Sequence, residues 1–208
     1  MELMSSIAAV ALVTASLLIE PPTETPAVVP PSTAPVAKEP TVKAPPTAIV
    51  PTKDDIVDTA SQKDLPTQRV TIFGEQFDAE LCLTEESRSL GMGGRSEFPA
   101  TTGAGATMIF VHPRPLMLSY WMRNCFIGLD IIFLDGQGRI TAMHEAPAEK
   151  LRTKTETNDH YEARLYRYSS KRPAQFVIEL PLGSIARLKP KLGQQVNIDW
   201  QKLVLRAR

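Results

Sequence analysis

From residue 67 onward, apolar and polar positions alternate, break and resume in a way that predicts many short strands. Between residues 69 and 83, two β-rich runs flank Gly74. In the second run Phe77, Ala79, Leu81 and Leu83 alternate with polar neighbours, which predicts a hairpin with a half-buried second strand. Thr84 then supplies a capping hydroxyl, Glu85 and Glu86 acids for a first turn, Arg88 a base for the last, and Gly91 a stop, the signature of a short helix. The runs 108–111, 120–122, 129–134, 139–143, 175–180, 195–200 and 203–205 are strand-length and rich in β-branched or aromatic residues. Asp135, Gly136, Gln137 and Gly138 predict a turn between two of them. Many short strands with one or two short helices predict a mainly β fold, a single small β-barrel-like domain. Residues 145–167 are charged and polar with no sustained period, which predicts a long surface loop at its rim.

The chain before this domain follows other patterns. Residues 7–19 hold nothing more polar than Thr14 and Ser16, and Glu20 closes the run. As a helix these residues span about 20 Å, short of a hydrocarbon core of roughly 30 Å; counting from Leu3 brings the segment near the lower limit of about 17 residues for a span. Residues 1–20 therefore read as a signal segment or an anchor, and residues 3–19 as the only membrane contact. The first six residues carry Glu2 and no Lys or Arg, and no small-x-small cleavage site follows, so export is expected while cleavage stays open. Residues 21–66 combine Pro, Thr and Ala with isolated charges and read as a disordered, PPII-leaning Pro-rich linker. It would hold a domain at 67–208 up to roughly 140 Å from a membrane, in a periplasmic or cell-surface location.

Composition sharpens that division. Residues 1–66 contain 11 of the 18 prolines, no glycine and no aromatic residue. They carry 4 Lys against 8 Asp and Glu, and the remainder carries 19 Lys and Arg against 15 acids, so net charges of −4 and +4 cancel. A surplus of four charges over a whole domain is far from the basic stripe that a phosphate backbone requires, which argues against nucleic acid.

The densest group of unusual residues starts with Arg88, Gly91, Met92 and Arg95 and continues through Met108, Ile109 and Phe110. It resumes with Tyr120, Trp121, Met122, Arg123, Asn124 and Cys125, then Ile127, Gly128, Leu129, Asp130 and Ile131. This order and spacing resemble the bacterial and archaeal DUF 192 family, whose run is approximately R-x-x-G-L-M-x-R, G-M-L-F, F-W-M-K-N-T and I-P-L-D-I. The resemblance extends through residues 168–170 and 176–180 to Gly183, Gly193 and Val196, covering nearly all of residues 69–200. Gly93 stands where the pattern has Met, Thr107 where it has Gly, Cys125 where it has Thr and Gly128 where it has Pro. A cysteine pair that some members carry in the long loop is absent from this sequence. The resemblance implies a small, predominantly β fold and leaves the activity open, as the family name records.

The chemistry in that group suits binding better than catalysis. Adjacent Tyr120 and Trp121 would point to opposite faces of a strand, bringing one ring to solvent or a ligand. Arg88, Arg95, Arg123, Asn124 and Asp130 add planar donors, an amide and an acceptor, a set that suits a sugar or a carboxylated small molecule. The same letters also fit a buried Arg–Asp pair and a turn-holding Asn. Cys82 and Cys125 can form one disulfide or remain two buried thiols. His112, His144 and His160 lack HxH or HExxH spacing, so neither a metal site nor an activated Cys125 is expected, and no cofactor is implied. Glu179 alternates with apolar neighbours and is expected to face water or pair with an arginine. The methionines read as core filling. Three functions follow in order: a binding module for a cell-envelope ligand such as a glycan; an interaction protein using the stalk and the 145–167 loop for an envelope partner; and a hydrolase or transferase using Asp130 or Cys125.

Overall fold

The computed structural model describes residues 48–58, 60–101 and 105–208. The segment at 7–19 and the linker from 21 to 47 lie outside the described residues; among the described residues no helix is long and apolar enough to cross a membrane. In chain order the elements are β1 (Asp55–Ile56), β2 (Thr67–Ile72), β3 (Glu75–Cys82), α1 (Glu85–Leu90), β4 (Gly105–Leu116), β5 (Ser119–Tyr120) and β6 (Leu129–Leu134). There follow β7 (Ile140–Ala146), β8 (Arg152–Thr153), α2 (Asn158–Arg164), β9 (Tyr168–Ser169), β10 (Ala174–Pro181), α3 (Ser184–Leu188) and α4 (Trp200–Val204). Six strands form one sheet in the order β2-β3-β4-β10-β6-β7, parallel only between β3 and β4, while β1–β8 and β5–β9 make two small separate ladders.

Local chemistry accounts for the elements that the pattern located. The β2–β3 hairpin turns through Phe73 and Gly74 with φ of 50° and 87°, the double positive φ of a tight hairpin turn. Thr84 caps α1, its hydroxyl accepting from Ser87 N–H while Ser87 Oγ accepts from Thr84 N–H. Asp135 Oδ1 accepts from the amides of Gln137 and Arg139 and fixes the β6–β7 turn.

The mainly β expectation holds, but the sheet does not close into a barrel: β2 and β7 stand at opposite edges. The reason lies in how its faces are covered. A barrel buries one face of its sheet; here both faces are buried. On one, Ile109, Val111, Ile132, Leu134, Phe176 and Ile178 pack under Trp200 and Leu203 of α4, with Ile185 and Leu188 of α3 alongside. On the other, Met108, Phe110, Ile131, Phe133 and Val177 pack under Met92, Leu118, Met122 and Cys125 from connecting segments. With a layer on each side, curling the sheet shut would expose one of them.

Five segments differ from expectation. Residues 195–200 and 203–205 are not strands: Asp199 Oδ1 accepts from Lys202 N–H and starts α4, whose Trp200 stacks on Phe176 at 4.2 Å. Residues 120–122 supply only the end of β5. The 145–167 stretch is built structure rather than a surface loop. Thr157 caps α2, and Tyr161 and Leu165, four residues apart on one face, are buried, as is Leu151. Finally, residues 48–58 and 60–66, assigned to the linker by composition, make contacts with the domain: β1 pairs with β8, and Ile49 N–H donates to Phe126 C=O at 2.6 Å.

Candidate functional site

The face covered by irregular chain holds a cavity of about 630 Å³. Its walls come from α1 and the residues after it (Arg88, Met92), from β4 (Phe110, His112, Arg114), and from the 118–125 segment (Tyr120, Trp121, Arg123, Cys125), and Glu179 of β10 also lines it. Tyr120 packs edge-on between Phe110 and Phe133, with centroids 5.2 and 5.4 Å away, so its position is set by core aromatics. Its hydroxyl lies 3.2 Å from His112 Nε2. Burial, reinforced by the charge of Arg88, lowers His112 to about 4, which leaves the imidazole neutral at pH 7. The guanidinium of Arg167 sits over the Trp121 ring at 3.6 Å and fixes that indole at the wall.

Glu179 is the unusual member. It neither faces water nor pairs with an arginine, contrary to expectation: it is 5% exposed, and Oε2 has no hydrogen-bond partner among the described residues. Strand register explains its burial. Glu80, Met108, Glu179, Ile131 and His144 lie side by side across β3, β4, β10, β6 and β7, so the carboxyl rises between two apolar side chains at the middle of the covered face. Burial pushes it up to about 8, so it is mostly protonated at pH 7. Glu80, in the same row, has what Glu179 lacks, since Arg95 pairs with it in a buried bridge.

The six residues expected to bind a ligand are not gathered in one place. Arg88, Trp121 and Arg123 line the cavity, whereas Arg95, Asn124 and Asp130 do not. Arg88 donates to the carbonyls of Val111 and Arg208, tying α1 to β4 and to the chain end. Arg95 also donates to Gln62 C=O. Arg123 reaches Glu162, Asp58 and Asn158. Asn124, at φ 56°, donates through Nδ2 to Asp58 at 2.6 Å, and its amide donates to Tyr161 Oη. Asp130 accepts from Ile185 N–H at the start of α3; burial raises its carboxyl despite that bond.

Cys82 and Cys125 are both free and buried, and burial pushes both thiols up, away from the thiolate that nucleophilic attack needs. Among the described residues no group of three His, Cys, Asp or Glu is placed to hold a metal. Glu179, His112 and Arg114 escaped the sequence-based set. One signal for Glu179 was present: residues 131–134 and 176–178 are apolar without alternation, which marks strands buried on both faces and hence a buried acid between them.

Comparison with known proteins adds a family and a fold. The model of the DUF192 family, described as an uncharacterized ACR, matches residues 68–198. A solved protein of unknown function from Novosphingobium aromaticivorans DSM 12444 is 27% identical, aligns over 67% of this chain and 91% of its own, and superposes with a TM-score of 0.52. A second, from Sinorhizobium meliloti 1021, whose description proposes a transcription regulator, is 21% identical over 63% of this chain and 90% of its own, with a TM-score of 0.47. No curated protein matches the sequence.

Proposed function

The chain belongs to the DUF192 family, and from that premise we propose that its β domain is a small-molecule binding module whose ligand is a glycan fragment of the cell envelope. The observation that carries this reading is the cavity itself: about 630 Å³ of space with Phe110, Tyr120 and Trp121 in its walls and an unpartnered buried carboxyl oxygen on Glu179. Cavities of this size, with apolar rings and directed polar groups in their walls, are a usual form of small-molecule sites. Aromatic rings suit the C–H faces of a sugar, and the neutral Glu179, Tyr120 and His112 supply hydroxyl-scale hydrogen bonding. The hydrophobic stretch at 7–19 and the Pro-rich segment after it support an exported, tethered location. Catalysis is less well supported, since Cys125 is held as a thiol and Asp130 caps α3 outside the cavity.

The test is a thermal-shift screen of the full chain against cell-wall saccharides, followed by titration of tryptophan fluorescence. A saturable rise in Tm that Trp121→Ala reduces at least tenfold in affinity is expected. Full affinity in Trp121→Ala would remove the cavity as the site.

A further inference from the structure

Apart from Glu85 at the exposed start of α1, two groups lining this cavity lack a charged partner among the described residues, and they have opposite sign. Of the other carboxylates on or beside the irregularly covered face, Glu80 has Arg95, Asp58 has Arg123 and Arg152, Glu149 accepts from Tyr166 N–H, and Glu85, which also lines the cavity, stands exposed to water in the first turn of α1. Glu179 has no cation among the described residues. The cations that could have served it are committed elsewhere: Arg88 to two carbonyls, Arg95 to Glu80, and Arg123 to Asp58 and Glu162. The titratable groups that do sense Glu179, namely Cys82 of β3, Tyr120 of β5 and Cys125, are neutral or become anions, and His144 at the end of its row is bonded to Ser169 C=O. Arg114, also lining the cavity but on the exposed end of β4, makes no ion pair among the described residues.

We infer that the cavity takes an amino sugar with a free amine and a carboxylate, the amine seated on the Glu179 carboxyl and the carboxylate at Arg114. This rests on the glycan-binding reading and adds the ligand's charge pattern. An ammonium supplies the charge-assisted donor that Glu179 Oε2 lacks, and it also offsets the cost of ionising a carboxyl buried between Met108 and Ile131. Acylating the amine removes that charge and adds bulk, which leaves Glu179 as it is in the empty cavity. The carboxylate end needs only an exposed guanidinium, which Arg114 provides.

Four probes separate these effects, titrated calorimetrically into the full chain: muramic acid, glucosamine, N-acetylmuramic acid and N-acetylglucosamine. Muramic acid is expected to bind tightest, with N-acetylation weakening binding about tenfold or more, the loss of one charge-assisted hydrogen bond. Glu179→Gln should bring the ratio between free and acetylated forms close to one, and Arg114→Gln should do the same for the ratio between carboxylated and uncharged forms. Arg114 is exposed, so that variant reports even where Glu179→Gln fails to fold. Equal affinity for acetylated and free amines, or a preference that survives in Glu179→Gln, overturns the inference while leaving the glycan reading in place. If all four fail to bind while other cell-wall saccharides raise Tm, the inference falls alone; if no saccharide binds, both fall.

Discussion

The same six strands present two faces that are finished in different ways. On the face carrying Ile109, Ile132, Phe176 and Ile178, the cover is helical and apolar: α3 and α4 lie over it, and Trp200 stacks on Phe176 while its Nε1 donates to Val196 C=O. Among the described residues, no buried side-chain nitrogen or oxygen on that face is left without a partner except Asp130 Oδ1, at the start of α3. On the other face the cover is irregular chain, tied down by side-chain hydrogen bonds and ion pairs, and it leaves a cavity, two thiols and a buried acid. Helices close a sheet face because their side chains interdigitate along a continuous ridge, whereas connecting segments must satisfy their own backbone groups first. A face covered in this second way is the natural place for a site, and it has less stability to lose.

The largest expected effect lies on the closed face. Trp200→Ala removes the ring stacked on Phe176 and leaves a void, at a cost of about 3–5 kcal/mol by chemical denaturation. The approach is tight as well: a Cβ on Gly138, at φ 76°, would lie 2.1 Å from Trp200 Nε1, so the turn and the ring are fitted to each other. A Trp200→Ala variant that unfolds within 1 kcal/mol of the parent, on the order of a surface substitution, would break the contrast between the faces.

A smaller effect, opposite in sign, is expected on the open face. Glu179 is raised from 4.5 to about 8 in the folded chain, so between these values the native state holds a proton that the unfolded state has released. Its contribution is therefore complete below about pH 4.5 and is lost progressively as pH rises toward 8. Gln cannot lose that proton. Glu179→Gln should match the parent near pH 4.5 and exceed it by roughly 3 kcal/mol at pH 7. Parallel pH–stability curves for the two proteins would show that Glu179 is solvated in solution.

The elements that could be read from sequence were those decided within a few residues: the Gly74 hairpin, the Thr84 cap, the 135–138 turn and the apolar run of β6. What escaped depended on the second layer. Val196, Ile198 and Trp200 alternate like a strand, yet only residues 193–196 bond to the chain at 138–140, and Asp199 then turns the chain into α4. Period two placed Glu179 opposite Ile178 and Leu180, which is correct; whether that opposite face meets water depends on residues 91–98 and 118–125, far away in sequence. Asn124, Arg123 and Arg88 stood out as chemistry and prove to be engaged in holding the cover.

The smallest effect tests how that cover is held. Residues 48–58 and 60–66 contain no aromatic residue and few buried side chains, which is why composition reads them as tether. They are attached by polar contacts instead: Gln62 Nε2 donates to the carbonyls of Ser87 and Gly91, and Asp58 receives Arg123, Arg152 and Asn124. Burial works against ionisation of Asp58, but the Asn124 bond and the arginines outweigh it and hold its carboxyl below the ordinary value, so its stabilisation persists at neutral pH and is lost in acid. The Asp58 side chain is a third exposed, so the attraction is screened and Asp58→Ala should cost only about 1 kcal/mol globally. Its local effect should be plainer. Exchange of the Ile49 amide, bonded to Phe126 C=O beside this cluster, should accelerate, while amides in β6 keep their protection. Equal acceleration in β6 would mean that the cover and the sheet open together, and the two faces would then differ in chemistry but not in stability.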